Sequence, residues 1–144
     1  STALSQQPFS GAVKNYLDGF TSNYDIQTSL NLPAGFTCES YPPETQLQIF
    51  RILQEALSNA RKHAKARSVQ ISFEKRDHLM IVTVKDNGRG FEPQVAMKKG
   101  EGHFGLRFMH ERAEQIGGSL RVESTHGKGT CVIVELPMEG AAYD

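Results

Sequence analysis

The chain reads as an α/β protein, a two-layer sandwich in which a mixed, mostly antiparallel sheet packs on helices. Two observations carry this expectation. Apolar residues switch repeatedly between helical and alternating spacing, in the order helix, strand, helix, two strands, loop, helix, two strands. The paired strands follow one another across links as short as Arg76-Asp77-His78, which suits hairpins rather than long crossovers. At 144 residues, with 38% hydrophobic side chains, the chain is long enough to bury a real core.

Each element has its own signal. Phe9, Val13, Leu17, Phe20 and Tyr24 recur at helical spacing. Ile26, Thr28, Leu30 and Leu32 alternate as a strand that Pro33 ends. A loop rich in Pro and Gly closes on Pro42-Pro43, a start signal for a long helix from about Glu44 to Ala64. Val69, Ile71 and Phe73 alternate on a second strand, and Leu79 to Asp86 forms a more continuously apolar third. Asn87 to Gly105 carries five glycines, Pro93 and Lys98-Lys99 without a sustained period, and an unstructured stretch of that length is often functional. Leu106, Met109, Ala113 and Ile116 mark a helix stopped by Gly117-Gly118. Leu120 and Val122 begin a strand, and after His126-Gly127-Lys128-Gly129 another runs from Thr130 to Leu136, closed by Pro137.

Composition excludes several classes. Formal net charge is zero without a block of like charges, so no direct nucleic-acid surface is signalled. No apolar run approaches membrane-spanning length, and no signal peptide is visible. Cys38 and Cys131 lack metal-type spacing and read as two reduced thiols of a cytoplasmic domain. An opening at Ser1 rather than Met suggests a fragment or a processed chain.

Chemistry concentrates in three places. Projected at ~100° per residue, Glu55, Asn59, Lys62 and His63 fall within an arc of roughly 100° on the long helix. Acid and amide oxygens suit a hard cation and cationic groups suit phosphate, although a solvated helix face would look the same. Asp86-Asn87-Gly88-Arg89-Gly90-Phe91 places a carboxylate at a strand end before residues that lack bulk. Asn-Gly is a hairpin signal, yet no strand follows, so the carboxylate is free to accept from an exocyclic amine such as adenine carries. Gly100 to Gly105 matches the dinucleotide fingerprint in letters, but Phe91 to Lys99 does not read as the required preceding strand. The glycines and the following helix N-terminus still suit an anion. His110-Glu111 reads as surface rather than as a phosphoacceptor.

As a set these motifs resemble the Bergerat, or GHKL, ATPases, and most closely the catalytic ATP-binding domain of sensor histidine kinases that signal to LuxR/NarL-type response regulators. Gln54 to Ala60 with Lys62-His63-Ala64, Asp86 to Phe91, Gly105 to Ala113, Gly117-Gly118, and Gly127-Lys128-Gly129-Thr130 through Pro137 carry the resemblance. It is weak up to about Pro43 and strong from Leu47 to Pro137. It implies one catalytic domain over residues 1–144, with a core of about 9–137, a tail at 138–144 and no phosphoacceptor dimerisation domain. ATP and Mg²⁺ would lie between the layers under a mobile lid at about Glu92 to Phe104. Carried over by position, Asn59 would hold Mg²⁺, with Glu55 reaching the metal or attacking water. Lys62 and His63 would approach the phosphates. Asp86 would bond the adenine amino group, with Gly88 and Gly90 making room for the base and Thr130 supporting that end. Phe91, Gly102, His103, Phe104, Gly105 and Leu106 complete the implied ATP-binding set.

The implied activity is donation of the ATP γ-phosphoryl group to a histidine on a separate dimerisation domain of the same kinase, with a response regulator downstream and no membrane contact by this domain. Nothing before Leu47 resembles the dimerisation helices, so nucleotide binding with little turnover is expected of this chain alone. The rival readings are a GHKL serine kinase of the anti-sigma type or a GHKL ATPase in which Glu55 activates water. A nucleotide-binding module without transfer ranks below them, and a Rossmann-type cofactor binder comes last.

Overall fold

A computed structural model describes residues 8–36, 38–39, 41–91 and 105–138. In chain order these form α1 (Phe9–Tyr24), β1 (Gln27–Asn31), α2 (Pro43–Lys62), β2 (Ser68–Arg76), β3 (Leu79–Asp86), α3 (Leu106–Gln115), β4 (Ser119–Ser124) and β5 (Thr130–Pro137). The five strands lie in the order β1-β2-β3-β5-β4. β1 runs parallel to β2, and the other pairings are antiparallel. This is the mixed two-layer α/β sandwich that the periodicities imply. The one parallel pairing exists because α2 carries the chain from β1 to β2, whereas the β2–β3 hairpin turns on two residues between Arg76 and Leu79. Asp77 takes a positive φ of 56° in that turn, as a hairpin connection of this length requires.

Alternation along the strands decides which face meets the helices. Val69, Ile71 and Phe73 of β2, Met80, Val82 and Val84 of β3, and Val132, Val134 and Leu136 of β5 are buried in one cluster with Phe9, Val13 and Leu17 of α1, Ile49, Leu53 and Leu57 of α2, and Met109 and Ala113 of α3. Phe9 meets Phe73 edge-on at 5.9 Å, pinning α1 to the sheet. The opposite sheet face is mixed: Ile81 and Ile133 are buried on it, while Arg121 bridges Glu123 at 2.9 Å and reaches Glu135 at 3.6 Å. Among the described residues, no helix is long and apolar enough to cross a membrane.

The structure shifts some boundaries. α2 stops at Lys62, two residues short of the expected Ala64, because His63 leaves the regular helix and Lys65 turns to φ 52°. The Ala64 N–H then returns to the Asn59 carbonyl at 3.0 Å, closing the helix end. The N-terminus begins at Pro43, which has no N–H to leave unsatisfied there.

Candidate functional site

Topology brings the ends of α2, β3, β5 and α3 together. Their residues line one recess: Ala56, Asn59 and Ala64 from α2 and its C-terminal turn, Val84 and Asp86 from β3, Phe91 beyond it, Leu106 from α3, and Thr130 and Val132 from β5. The recess holds about 340 Å³ of space between atoms, part of it open to solvent. Its walls are mostly apolar, with Asn59, Asp86 and Thr130 as polar points, the usual makeup of a small-molecule site.

Asp86 closes one end. It is buried, and its Oδ1 accepts the Gly88 N–H at 2.8 Å. Burial pushes its carboxyl above the ordinary 3.8, and backbone N–H groups of Gly88 and Thr130 oppose the rise. The turn after Asp86 is stitched to the end of α2. Asn87 Oδ1 accepts the N–H groups of Arg67 and Ser68 at 2.8 and 2.9 Å. The Arg89 N–H meets the Ala64 carbonyl at 2.9 Å, and Arg89 Nε donates to the His63 carbonyl at 2.8 Å. A Cβ on Gly88 would lie 2.5 Å from that of Ala64, so only glycine lets the turn come this close.

Three more positions frame the recess. Gly90 has φ 67° and its missing Cβ would strike the Thr125 carbonyl, so the turn after β3 also lies flat on the β4–β5 connection. Gly105 starts α3, and the space of its absent Cβ is taken by the Glu55 carboxyl group, whose Cδ would be 2.5 Å away. Glu55 is thus set beside the N-terminus of α3, where a negative group is favoured. Thr130 pairs in register with Asp86 on one side and with Ser124 on the other, and its Oγ1 is 2.7 Å from Ser124 Oγ.

Of the residues singled out by sequence, Asn59, Asp86, Phe91, Leu106 and Thr130 share this recess, and Glu55, Gly88, Gly90 and Gly105 shape its margins. Lys62 is exposed, and neither it nor His63 lines the recess; the His63 carbonyl instead receives Arg89. Gly102, His103 and Phe104, with the lid read over 92–104, lie outside the described residues. Sequence reasoning passed over Ala64, Asn87, Arg89 and Ser124 as working parts. The Asn-Gly pair was a usable signal for Asn87, but the His63 carbonyl that Arg89 reaches and the Phe91 N–H that Ser124 accepts are 26 and 33 residues away in the chain.

Residues 44–140 match the family of histidine kinase-, DNA gyrase B-, and HSP90-like ATPases. The chain belongs to this family. Relatives include the signal transduction histidine-protein kinase/phosphatase DegS of Brevibacillus brevis, 39% identical over 69% of this chain and 25% of its own. The oxygen sensor histidine kinase NreB of Staphylococcus carnosus is 32% identical over 95% of this chain and 38% of its own. The chain therefore spans between a quarter and two fifths of these relatives. The histidine kinase domain of the Erythrobacter litoralis EL346 blue-light activated kinase superimposes with a TM-score of 0.76 at 24% identity, covering 94% of this chain and 64% of that one. The fold is accordingly that of histidine kinase ATPase domains, and the dinucleotide reading of Gly100 to Gly105 loses its structural setting in a sheet of mainly antiparallel pairs.

Proposed function

We propose that this chain binds Mg-ATP in the recess and, as a cytoplasmic domain of a two-component sensor kinase, passes the γ-phosphoryl group to a histidine on a separate dimerisation domain. The observation that carries the proposal is the meeting of Asp86 and Asn59, from different layers of the sandwich, in one largely apolar recess. The Asp86 carboxylate would accept from the adenine amino group, beside Thr130. Val84, Leu106 and Val132 would pack on the base and exclude water. Asn59, across the recess on the helical layer, would offer its side-chain oxygen toward the phosphates, and the N-terminus of α3 would face the same negative charge. Lys62 and His63 would approach the phosphates by movement of their side chains. Residues 102–104 are carried over with the resemblance and complete the proposed set.

A magnesium ion fits this donor set. Among the described residues no three His, Cys, Asp or Glu side chains gather as a cage. Mg²⁺ takes oxygen ligands, keeps several waters and usually relies on substrate phosphates, so Asn59, with Glu55 through a water, would suffice on the protein side. When bound, the ion would neutralise phosphate charge. In the transfer itself an imidazole nitrogen attacks the γ-phosphorus, the bond to the ADP oxygen breaks, and ADP leaves with that electron pair; the protein's part is positioning. A LuxR/NarL-type regulator would receive the phosphoryl group next. The histidine-kinase names of DegS and NreB support this branch over serine kinases or ATPases of the same fold.

Calorimetric titration with ATP, GTP and NAD, with and without Mg²⁺, tests the binding half. ATP should bind with Mg²⁺ dependence that Asn59→Ala weakens, and preference for NAD would refute the reading. Radiolabel transfer to a dimerisation domain supplied in trans tests the other half; brisk ATP hydrolysis by this chain alone, without transfer, would favour an ATPase.

A further inference from the structure

Among the described residues lining the recess, Thr130 alone carries a hydroxyl. What that hydroxyl can offer a ligand is decided one strand away. Ser124 Oγ has three neighbours: the Phe91 N–H at 2.8 Å, the Gly129 carbonyl at 3.2 Å and Thr130 Oγ1 at 2.7 Å. A serine hydroxyl has one proton and two lone pairs. Phe91 can only donate, so it takes a lone pair. The Gly129 carbonyl can only accept, and Gly129 is buried, so it takes the Ser124 proton. The remaining contact then has Thr130 as its donor. This is the arrangement that satisfies every group, and it spends the only proton Thr130 has. Thr130 Oγ1 faces the recess with lone pairs alone, in register with the acceptor carboxylate of Asp86.

We infer that Ser124 is a specificity-determining residue: by receiving the Thr130 proton it makes this wall of the recess acceptor-only, and so selects a purine bearing a 6-amino group over one bearing a 6-oxo group. The inference rests on the proposed nucleotide site and adds a residue that does not line it. An amino group presents two N–H donors to the two acceptors. A 6-oxo group meets lone pairs on both sides and leaves them unpaired, which is where recognition sites discriminate most strongly. Without Ser124, the Thr130 hydroxyl is free to turn its proton into the recess and accommodate the oxo group.

The test is the ratio of dissociation constants for Mg-ITP and Mg-ATP, two nucleotides that differ at position 6, measured by calorimetry. Ser124→Ala should reduce the parent's preference for ATP by about threefold to tenfold, the worth of one hydrogen bond. Ser124→Thr, which keeps the hydroxyl, should restore it to within about twofold. A general loosening of the site would weaken both nucleotides and leave the ratio alone, so an unchanged ratio in Ser124→Ala overturns the inference. If that variant does not fold, Thr130→Val replaces it: a preference reduced by the same threefold to tenfold, with Asp86 still in place, supports the inference, and an unchanged preference overturns it. A parent that prefers ATP while Ser124→Ala keeps the ratio sinks this inference only; a parent that binds neither nucleotide sinks the nucleotide site as well.

Discussion

Gly88→Ala puts the junction between the Asp86 turn and α2 under direct strain. The new Cβ would lie 2.5 Å from the Ala64 Cβ and 2.6 Å from the Ala64 carbonyl oxygen, where ordinary contact begins at 3.4 Å. Neither obstacle can swing aside, since one is fixed to the backbone and the other accepts the Arg89 N–H at 2.9 Å. The turn and the helix end must therefore part by about 0.9 Å, on the difference between those distances. Overpacking of this kind costs ~1–3 kcal/mol, which for a chain of this length lowers Tm by about 3–10 °C. The same opening shifts the Asp86 turn relative to Asn59 on α2. ATP affinity should fall by about threefold to tenfold, the worth of one hydrogen bond in the recess. Gly19→Ala is the control: that glycine lies exposed within α1 with nothing within 4 Å of its added Cβ. The substitution there should stabilise by ~0.5–1 kcal/mol through helix propensity. Thermal unfolding and calorimetric ATP titration of the two variants give the comparison. If Gly88→Ala matches the parent in both, the close approach of turn and helix does not matter and the reasoning fails.

The other expectations concern the groups around that junction. Asp86→Asn gives the amide nitrogen a donor to face, whether the Gly88 and Thr130 N–H groups or a bound amine, and should cost ~1–3 kcal/mol of ATP binding; calorimetry showing parental affinity would refute the assignment. Burial raises the Asp86 carboxyl above 3.8 in the folded protein, so folding favours its protonated form. Relative to Asp86→Asn, the nucleotide-free parent should therefore gain stability as pH falls through this raised value and lose it as pH rises, while ATP affinity moves the opposite way; parallel unfolding and binding series at several pH values check both signs. Arg89→Ala removes a cationic donor from the C-terminal carbonyls of α2 and should cost ~0.3–1 kcal/mol, or about 1–3 °C in Tm, with Arg89→Lys recovering part of it.

Much of the fold was legible because local rules and tertiary packing agree. The 3–4 spacing of Phe9, Val13, Leu17 and Phe20 became the buried stripe of α1, and the alternation of Val69, Ile71 and Phe73 became the inner face of β2. Leu79 to Asp86 read as a continuously apolar strand, and β3 does lie inside the sheet between β2 and β5. Boundaries were less legible where hydrogen bonding rather than hydrophobicity sets them. Ala64 continues the apolar period of α2 yet lies beyond its end, because Lys65 turns left-handed and the Arg89 N–H claims the Ala64 carbonyl. On the helical wheel Lys62 joins Glu55 and Asn59, but an arc of ~100° is wide enough to reach from the recess to solvent. Glu55 and Asn59 meet neighbouring chain on one side of it, and Lys62 is exposed on the other.

By itself, then, the chain determined its helices and strands, its buried faces, and the residue types able to grip a purine and its phosphates, since period, turn chemistry and side-chain donors are properties of short segments. Tertiary structure alone decided that Asp86 and Asn59 share a recess, that Arg89 closes the end of α2 and that Ser124 Oγ accepts the Phe91 N–H from 33 residues away. The physical reason is range: a hydrogen bond is directional and acts over about 3 Å. Its partners become neighbours only after strand order and register have carried distant segments to the same place.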